Sequence, residues 1–282
     1  MPPVVTALAR YPVKSCRGQS LLEAAVEPWG LAGDRRWMVV DADGFVITAR
    51  EVHRLLLVVP EVTDRGLTLT GPGLAPLEMP APDGTLSTTV DVWGSRVEAA
   101  SAGAAAAQWF TELVGQPARL VHLDDPTRRA TDPRYTRPSD RVSFADAFPL
   151  LLTSEASLAA LNEYIAAGPR SAEGPLPMTR FRPNVVVDGV DAWDEDCWRH
   201  VRIGATTFRA VKGCDRCVMT TLDPQTAAKG MEPIATLARQ RKWDGKTWFG
   251  INLVPDTPLG RVRVGDQVEV LAAGDPGAGP LR

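Results

Sequence analysis

The segment Lys212 to Pro224, KGCDRCVMTTLDP, sets Cys214 and Cys217 in a C-x-x-C spacing with Lys212 and Arg216 beside them. Neighbouring cations favour thiolate, the form of sulfur that attacks or ligates. Spacing alone leaves a dithiol redox pair, a metal ligand and a plain surface turn all open. A thioredoxin-like pair expects its motif at the start of a helix in a βαβ unit. Here β-branched Val218, Thr220 and Thr221 follow and predict a strand, VMTTLD, which disfavours the dithiol. What remains is a single thiolate as a soft ligand, suited to a metal also bound by sulfur. Zinc is disfavoured, because the other cysteines, Cys16 and Cys197, make no second pair and His53, His122 and His200 are scattered.

Three further segments carry polar groups that could hold a ligand. In YPVKSCRGQSL, Lys14, Ser15 and Arg17 cluster between a strand and a glycine, offering phosphate a set of donors or forming a polar turn. Asp34-Arg35-Arg36 is either a guanidinium fork or a solvated strand edge. In RFRPNVVVDG, Arg182 and Asn184 flank Pro183 before an apolar strand, where polar groups must find partners in an internal network or in a ligand. The acidic run DAWDEDCW fits no calcium loop and reads as solvated, and the eight tryptophans read as core and interface filler.

Stepping outward, the first hundred residues read as short strands (VVTALARY, RRWMVVDADGFVITAR, LLLVVP, GLTLTGPG, LSTTVDVWGSRVEAA), with turns at Asp43-Gly44 and Asp83-Gly84. A small antiparallel barrel or sandwich is expected there. AGAAAAQWFTEL predicts a helix stopped at Gly115, followed by the apolar strand RLVHL. DDPTRRATDPRYTRPSDR reads as a long surface loop whose Arg128, Arg129, Arg134, Arg137 and Arg141 could steer an acidic partner. Thr153 or Ser154 can cap a helix carrying Glu155 in its first turn, and a second helix is expected near Pro233 to Arg241, among further strands. The fold class is therefore mainly β with helices (α+β), divided into units 1–117 and 118–275 with a flexible tail, 276–282.

Composition bounds the function. With 44% hydrophobic and 23% charged residues the chain is an ordinary globular one. A net charge of −3 supplies no basic field for nucleic acid, and no run reaches the ~20 apolar residues of a membrane span. No signal peptide is read at the N-terminus, so the expected compartment is the cytoplasm, without nucleic-acid or membrane partners.

YPVKSCRG, GDRRWMVVD, ITAR, FADAFPLLLTSEASL, FRPNVVVDG, CDRCVMTTLDPQT, FGINL and VGDQVEVL occur in an order that spans nearly the whole chain. Together they resemble the MOSC family, named for the C-terminal domain of molybdenum cofactor sulfurase, and within it the mitochondrial amidoxime-reducing component and its bacterial relatives. The resemblance implies an N-terminal β-barrel domain followed by a β-rich MOSC domain, with a molybdenum–molybdopterin cofactor between them. It implies Cys217 as the molybdenum ligand and catalytic centre, Cys214 as no ligand, and Arg216 against the cofactor. It carries over Lys14, Ser15 and Arg35 as a phosphate grip, and Asp146, Phe148, Arg182 and Asn184 as pterin-lining residues. The chain shows no ferredoxin-type cysteine cluster and no membrane anchor of the mitochondrial kind, so electron supply and location do not carry over.

The function so implied is reduction of N-hydroxylated compounds such as amidoximes and hydroxylamines. Electrons would come from a separate ferredoxin-, flavin- or cytochrome-type protein, because no flavin or iron–sulfur motif is read here. Two other functions use the same residues: a carrier holding cofactor or sulfur on Cys217, and a non-catalytic module for a phosphorylated ligand.

Overall fold

β-Branched and apolar runs draw most of the chain into strands, and the computed structural model, which describes residues 2–256 and 259–282, arranges them in four sheets among those residues. The largest has nine strands, in the spatial order Val268–Ala273, Trp198–Ile203, Thr206–Asp215, Lys246–Pro255, Leu150–Ser154, Val185–Asp188, Val4–Arg10 and Gln19–Leu21, with Lys242–Trp243 added beside Lys246–Pro255. Val185, Val186 and Val187 are all buried, the continuous apolar pattern of a strand covered on both faces. It pairs in parallel with Leu150–Ser154. A parallel pair needs a crossover, which is supplied by the helix Glu155–Ala166. Ser154 caps that helix by accepting from the Ser157 amide, and Glu155 sits in its positive first turn, as expected.

The α+β class expected from sequence holds: strands predominate, with helices Ala104–Val114, Glu155–Ala166 and Ile234–Gln240 packed around them. The first helix ends at Gly115, whose φ of +79° suits the left-handed closure of a helix. One apolar core gathers Val13, Trp37, Leu55, Leu69, Phe110 and Leu120; another lies against the large sheet and includes Leu8, Leu152, Val185, Phe208 and Ile251.

Strands are exchanged across the expected division near residue 117. Val4–Arg10 pairs with Val185–Asp188, and Glu23–Glu27 pairs with Arg261–Arg263. Conversely, Ala118–His122 joins Trp37–Asp41 and Ser95–Ser101. Several local expectations are corrected. Val218–Thr221 forms a 3-10 turn and not a strand, and His53–Leu57 is likewise 3-10. The final residues are docked: the Gly213 amide donates to the Leu281 carbonyl at 2.6 Å, and Pro280 is buried. Trp93 is no core filler, being 47% exposed.

Candidate functional site

Loops at the ends of these strands form a cleft of about 480 Å³, and the nine residues that the resemblance assigned to the cofactor and metal line it: Lys14, Ser15, Arg35, Asp146, Phe148, Arg182, Asn184, Arg216 and Cys217. Thr48, Arg50, Trp93, Lys212, Cys214 and Asn252 share its walls. Six lining residues are cationic (Lys14, Arg35, Arg50, Arg182, Lys212, Arg216) against two acidic ones, Asp146 and Asp215. An excess of this kind inside a low-dielectric cavity favours an anionic ligand.

The cations differ in how far the protein itself satisfies them. Lys14 is buried, donates to the Phe144 carbonyl at 2.8 Å and forms a close ion pair with Asp146. Burial lowers its ammonium to about 8, against the opposing pull of Asp146. Enclosure works to raise the Asp146 carboxyl, but Lys14, Arg50 at 2.9 Å and the Trp93 indole outweigh it and hold the group below the usual carboxylate range. Arg35 is paired at 2.6 Å with Asp34, whose side chain is 0% exposed and also accepts from the Tyr11 amide at 2.7 Å. Burial opposes the Arg35 charge, yet Asp34 reverses the balance and raises it.

Arg182 stands apart. Its guanidinium makes no hydrogen bond or ion pair with any described residue and lies 4.2 Å from the Tyr11 ring centroid, while its backbone carbonyl accepts from Arg35 at 3.3 Å. Burial against the cleft wall lowers it to about 10, and the neighbouring Arg35 charge acts in the same direction. Arg216 also lacks a carboxylate; it donates to the Phe181 carbonyl at 2.7 Å and to Cys214 Sγ at 2.8 Å, and its Nε is buried without a partner. Burial raises the Cys214 thiol, and Arg216 opposes it. Cys217 opens the 3-10 turn that follows, so its position depends on that turn and on the Arg216 amide bonded to the Thr247 carbonyl at 2.7 Å. Cys16 lies behind in the core, its thiol pushed by burial to about 12.

Backbone strain collects here. Ser15, Arg35, Trp93 and Arg182 all have positive φ (70°, 46°, 58° and 56°) in a region that disfavours side chains. Each such residue costs on the order of 1–3 kcal/mol and persists only where the surroundings over-determine it. Ser15 sits in a tight turn closed by the Cys16 amide on the Val13 carbonyl. Its hydroxyl makes no hydrogen bond with a described residue.

Asn184 is the opposite case. Its amide donates to the Ala9 carbonyl at 3.1 Å, and its oxygen accepts from the Leu151 amide at 3.2 Å and from Arg35 at 3.1 Å. It ties three cleft-forming segments together as an internal network. Two other residues flagged in the sequence turn away: Arg17 donates to the Pro224 carbonyl, and Arg36 donates to the carbonyls of Leu123 and Asp124.

The arginine-rich loop is partly paired with nearby carboxylates. Arg128 pairs with Asp124, Arg134 with Asp132 and Arg137 with Asp256, while Arg141 donates to carbonyls of its own loop. Three of its arginines thus have carboxylate partners, while Arg141 has none among the described residues. Arg129 is buried and binds the carbonyls of Ser143, Ala145 and Asp146, so it shapes the segment that carries Asp146. No sequence signal distinguishes Arg129 from its solvated neighbours.

The MOSC N-terminal beta barrel domain matches residues 3–117, and the MOSC domain matches residues 139–269. Mitochondrial amidoxime-reducing component 1 of Homo sapiens is 36% identical over 287 residues, covering 95% of this chain and 82% of that protein. The chain belongs to the MOSC family. The Xenopus laevis amidoxime-reducing component 1 is 32% identical over 97% of this MOSC chain and 81% of its own length. The molybdenum cofactor sulfurase of rice (Oryza sativa subsp. japonica) is 35% identical over 86% of the chain, but the match spans 31% of that longer protein. Among the described residues of this MOSC protein, no helix is long and apolar enough to cross a membrane, and no group of three or more His, Cys, Asp or Glu side chains is placed to hold a metal by itself.

Proposed function

We propose that this MOSC protein holds a molybdenum–molybdopterin cofactor in the cleft and reduces N-hydroxylated compounds such as amidoximes. The observation that carries the reading is that two cations without carboxylate partners, Arg182 and Arg216, share one cleft with the thiol of Cys217. The residues fit such a group. A phosphate dianion wants fixed cationic donors, and Arg182 with the free hydroxyl of Ser15 provides them while Lys14 and Arg35 add paired positive charge. Cys217 is the thiol assigned to molybdenum, since a thiolate suits a soft metal. Phe148 and Asp146 are assigned to the pterin, and Asn184 holds the wall behind them.

When bound, the cofactor would supply two electrons which, with two protons from solvent, convert N–OH to N–H and water, an amidoxime giving its amidine. The chain's own residues do the rest. Arg216 holds the Cys214–Cys217 segment against Phe181. Electrons come from a separate redox protein. Because Arg128, Arg134 and Arg137 already have carboxylate partners, we do not assign its docking to that loop. The two amidoxime-reducing components named above are mitochondrial by name; the cytoplasm remains our proposed compartment for this chain.

The test is elemental analysis of the chain expressed in a cofactor-competent host, joined to turnover of a model amidoxime with an artificial donor. Tightly held molybdenum with turnover supports the enzyme. Exchangeable cofactor without turnover supports a carrier on Cys217, and absence of molybdenum supports a module for another phosphorylated ligand.

A further inference from the structure

Arg35 and Arg182, which lie 147 residues apart in sequence, reach the same cleft and contact one aromatic ring. That ring is Tyr11, with the Arg35 guanidinium 4.4 Å and the Arg182 guanidinium 4.2 Å from its centroid. Tyr11 does not line the cleft and is buried. Its own position is fixed at four points. The hydroxyl donates to the Pro183 carbonyl at 3.1 Å, beside Arg182. The amide donates to Asp34 at 2.7 Å, and the carbonyl accepts from the Arg35 amide at 2.8 Å. On the ring edge, Gly18 leaves the space that Tyr11 occupies: a Cβ there would lie 2.5 Å from ring Cε1.

Two guanidiniums held near each other repel, and Arg182 has no carboxylate to offset the repulsion. A ring face carries negative charge and attracts both, more strongly where water is excluded. A hydroxyl alone could not do this, because it touches the backbone of Pro183 and neither guanidinium. Resting on the anionic-ligand reading above, we propose that Tyr11 is a positioning residue whose ring holds Arg35 and Arg182 jointly in place for one anionic group of the ligand. Preorganisation of this kind raises affinity by removing the cost of ordering two long side chains at binding.

The experiment titrates inorganic pyrophosphate into the full chain by calorimetry, with the melting temperature followed in parallel. Tyr11→Phe, which keeps the ring, is expected to stay within about twofold of the parent, and Tyr11→Leu to bind roughly tenfold more weakly, the scale of a lost desolvated cation–π contact. In an Arg182→Ala background the added effect of Tyr11→Leu shrinks to about twofold, because the ring then has one cation left to hold. Should Tyr11→Leu not fold, Gly18→Ala takes its place, pressing a methyl group into the ring edge and weakening pyrophosphate binding severalfold. Equal loss from Tyr11→Leu with and without Arg182 overturns the proposal, as does a Tyr11→Phe defect as large as that of Tyr11→Leu, or no pyrophosphate binding by the parent chain. A chain that carries no molybdenum yet shows the expected pyrophosphate pattern removes the cofactor reading and leaves Tyr11 in its role.

Discussion

Arg35→Ala and Arg182→Ala remove the same charge from the same cleft, and the structure predicts that they fail differently. Arg35 is the counter-ion of Asp34, a carboxylate with no solvent exposure whose other partner is the Tyr11 amide. Deleting the arginine leaves that carboxylate charged, buried and half-satisfied. Breaking a buried pair costs about 3–5 kcal/mol, and since Arg35 is 14% exposed we take the lower end, about 3 kcal/mol. For a chain of this size about 1 kcal/mol moves the melting temperature by roughly 2 °C, so Arg35→Ala should melt about 6 °C early. Arg182 has no carboxylate to orphan, only its contact with the Tyr11 ring to lose, and its removal takes away a charge that burial disfavours. Arg182→Ala should therefore melt within about 2 °C of the parent. It should still lose a charge-assisted contact to the ligand worth about 1.5–3 kcal/mol, or roughly ten- to hundredfold in retention. Differential scanning calorimetry, paired with molybdenum content after gel filtration, reads both quantities. A melting temperature for Arg35→Ala equal to the parent, or an Arg182→Ala variant destabilised as much as Arg35→Ala, would refute the division of roles.

Further outcomes follow from the cysteines, the redox inventory and one buried carboxyl. Cys217→Ala should abolish turnover and loosen molybdenum, whereas Cys214→Ala, which removes only an acceptor for Arg216, should keep most of both; equal loss would point to a dithiol. The pure chain should not turn over a model amidoxime with NADH alone but should do so with a viologen donor, and robust NADH-dependent activity would sink the need for a partner. Glu195 is buried on Ser154 and Ser157 with one oxygen unpartnered, and burial raises its carboxyl from the ordinary 4.5 to about 7. With the folded value above the unfolded one, its stabilising contribution is complete below about pH 4.5 and is lost as pH rises through 7. Glu195→Gln should then outlast the parent in thermal melts at pH 8 and lose that advantage at pH 4.5; an unchanged difference between the two pH values would count against the shift.

Residues close to a motif were legible because their local chemistry declares itself. Ser154 with Glu155 announces a capped helix, Gly115 a stop, and the alternation of the N-terminal strands an antiparallel β fold. The nine residues assigned by the resemblance came to one cleft, although seven of them lie in segments that are ambiguous one at a time. Who pairs with whom was not legible. Lys14 and Arg35 look like the free cations of the chain, yet each has a carboxylate at hand, and Arg182, flanked by apolar and proline residues, is the one left open. Val218, Thr220 and Thr221 have strand-forming side chains, but the cleft requires a reversal after Cys217, and the tertiary demand prevails over propensity. Arg129 became buried only because the carbonyls of residues 143–146 converge on it from a distant loop wall.

The exchanged strands also set a timetable for synthesis. Val4–Arg10 leaves the ribosome first and can pair at once with Gln19–Leu21, but its other edge has no partner until Val185–Asp188 has been made, a wait of roughly 10–35 s at about 5–20 residues per second. One edge of Glu23–Glu27 meets Gly30–Leu31 at once, but the other waits longer, for Arg261–Arg263 near the far end of the chain. Throughout that interval the nascent chain presents unpaired, partly apolar strand edges, the kind of surface that chaperones cover and that aggregation exploits. Cutting the gene at residue 117 would make the delay permanent: each fragment would keep strands whose partners are encoded in the other.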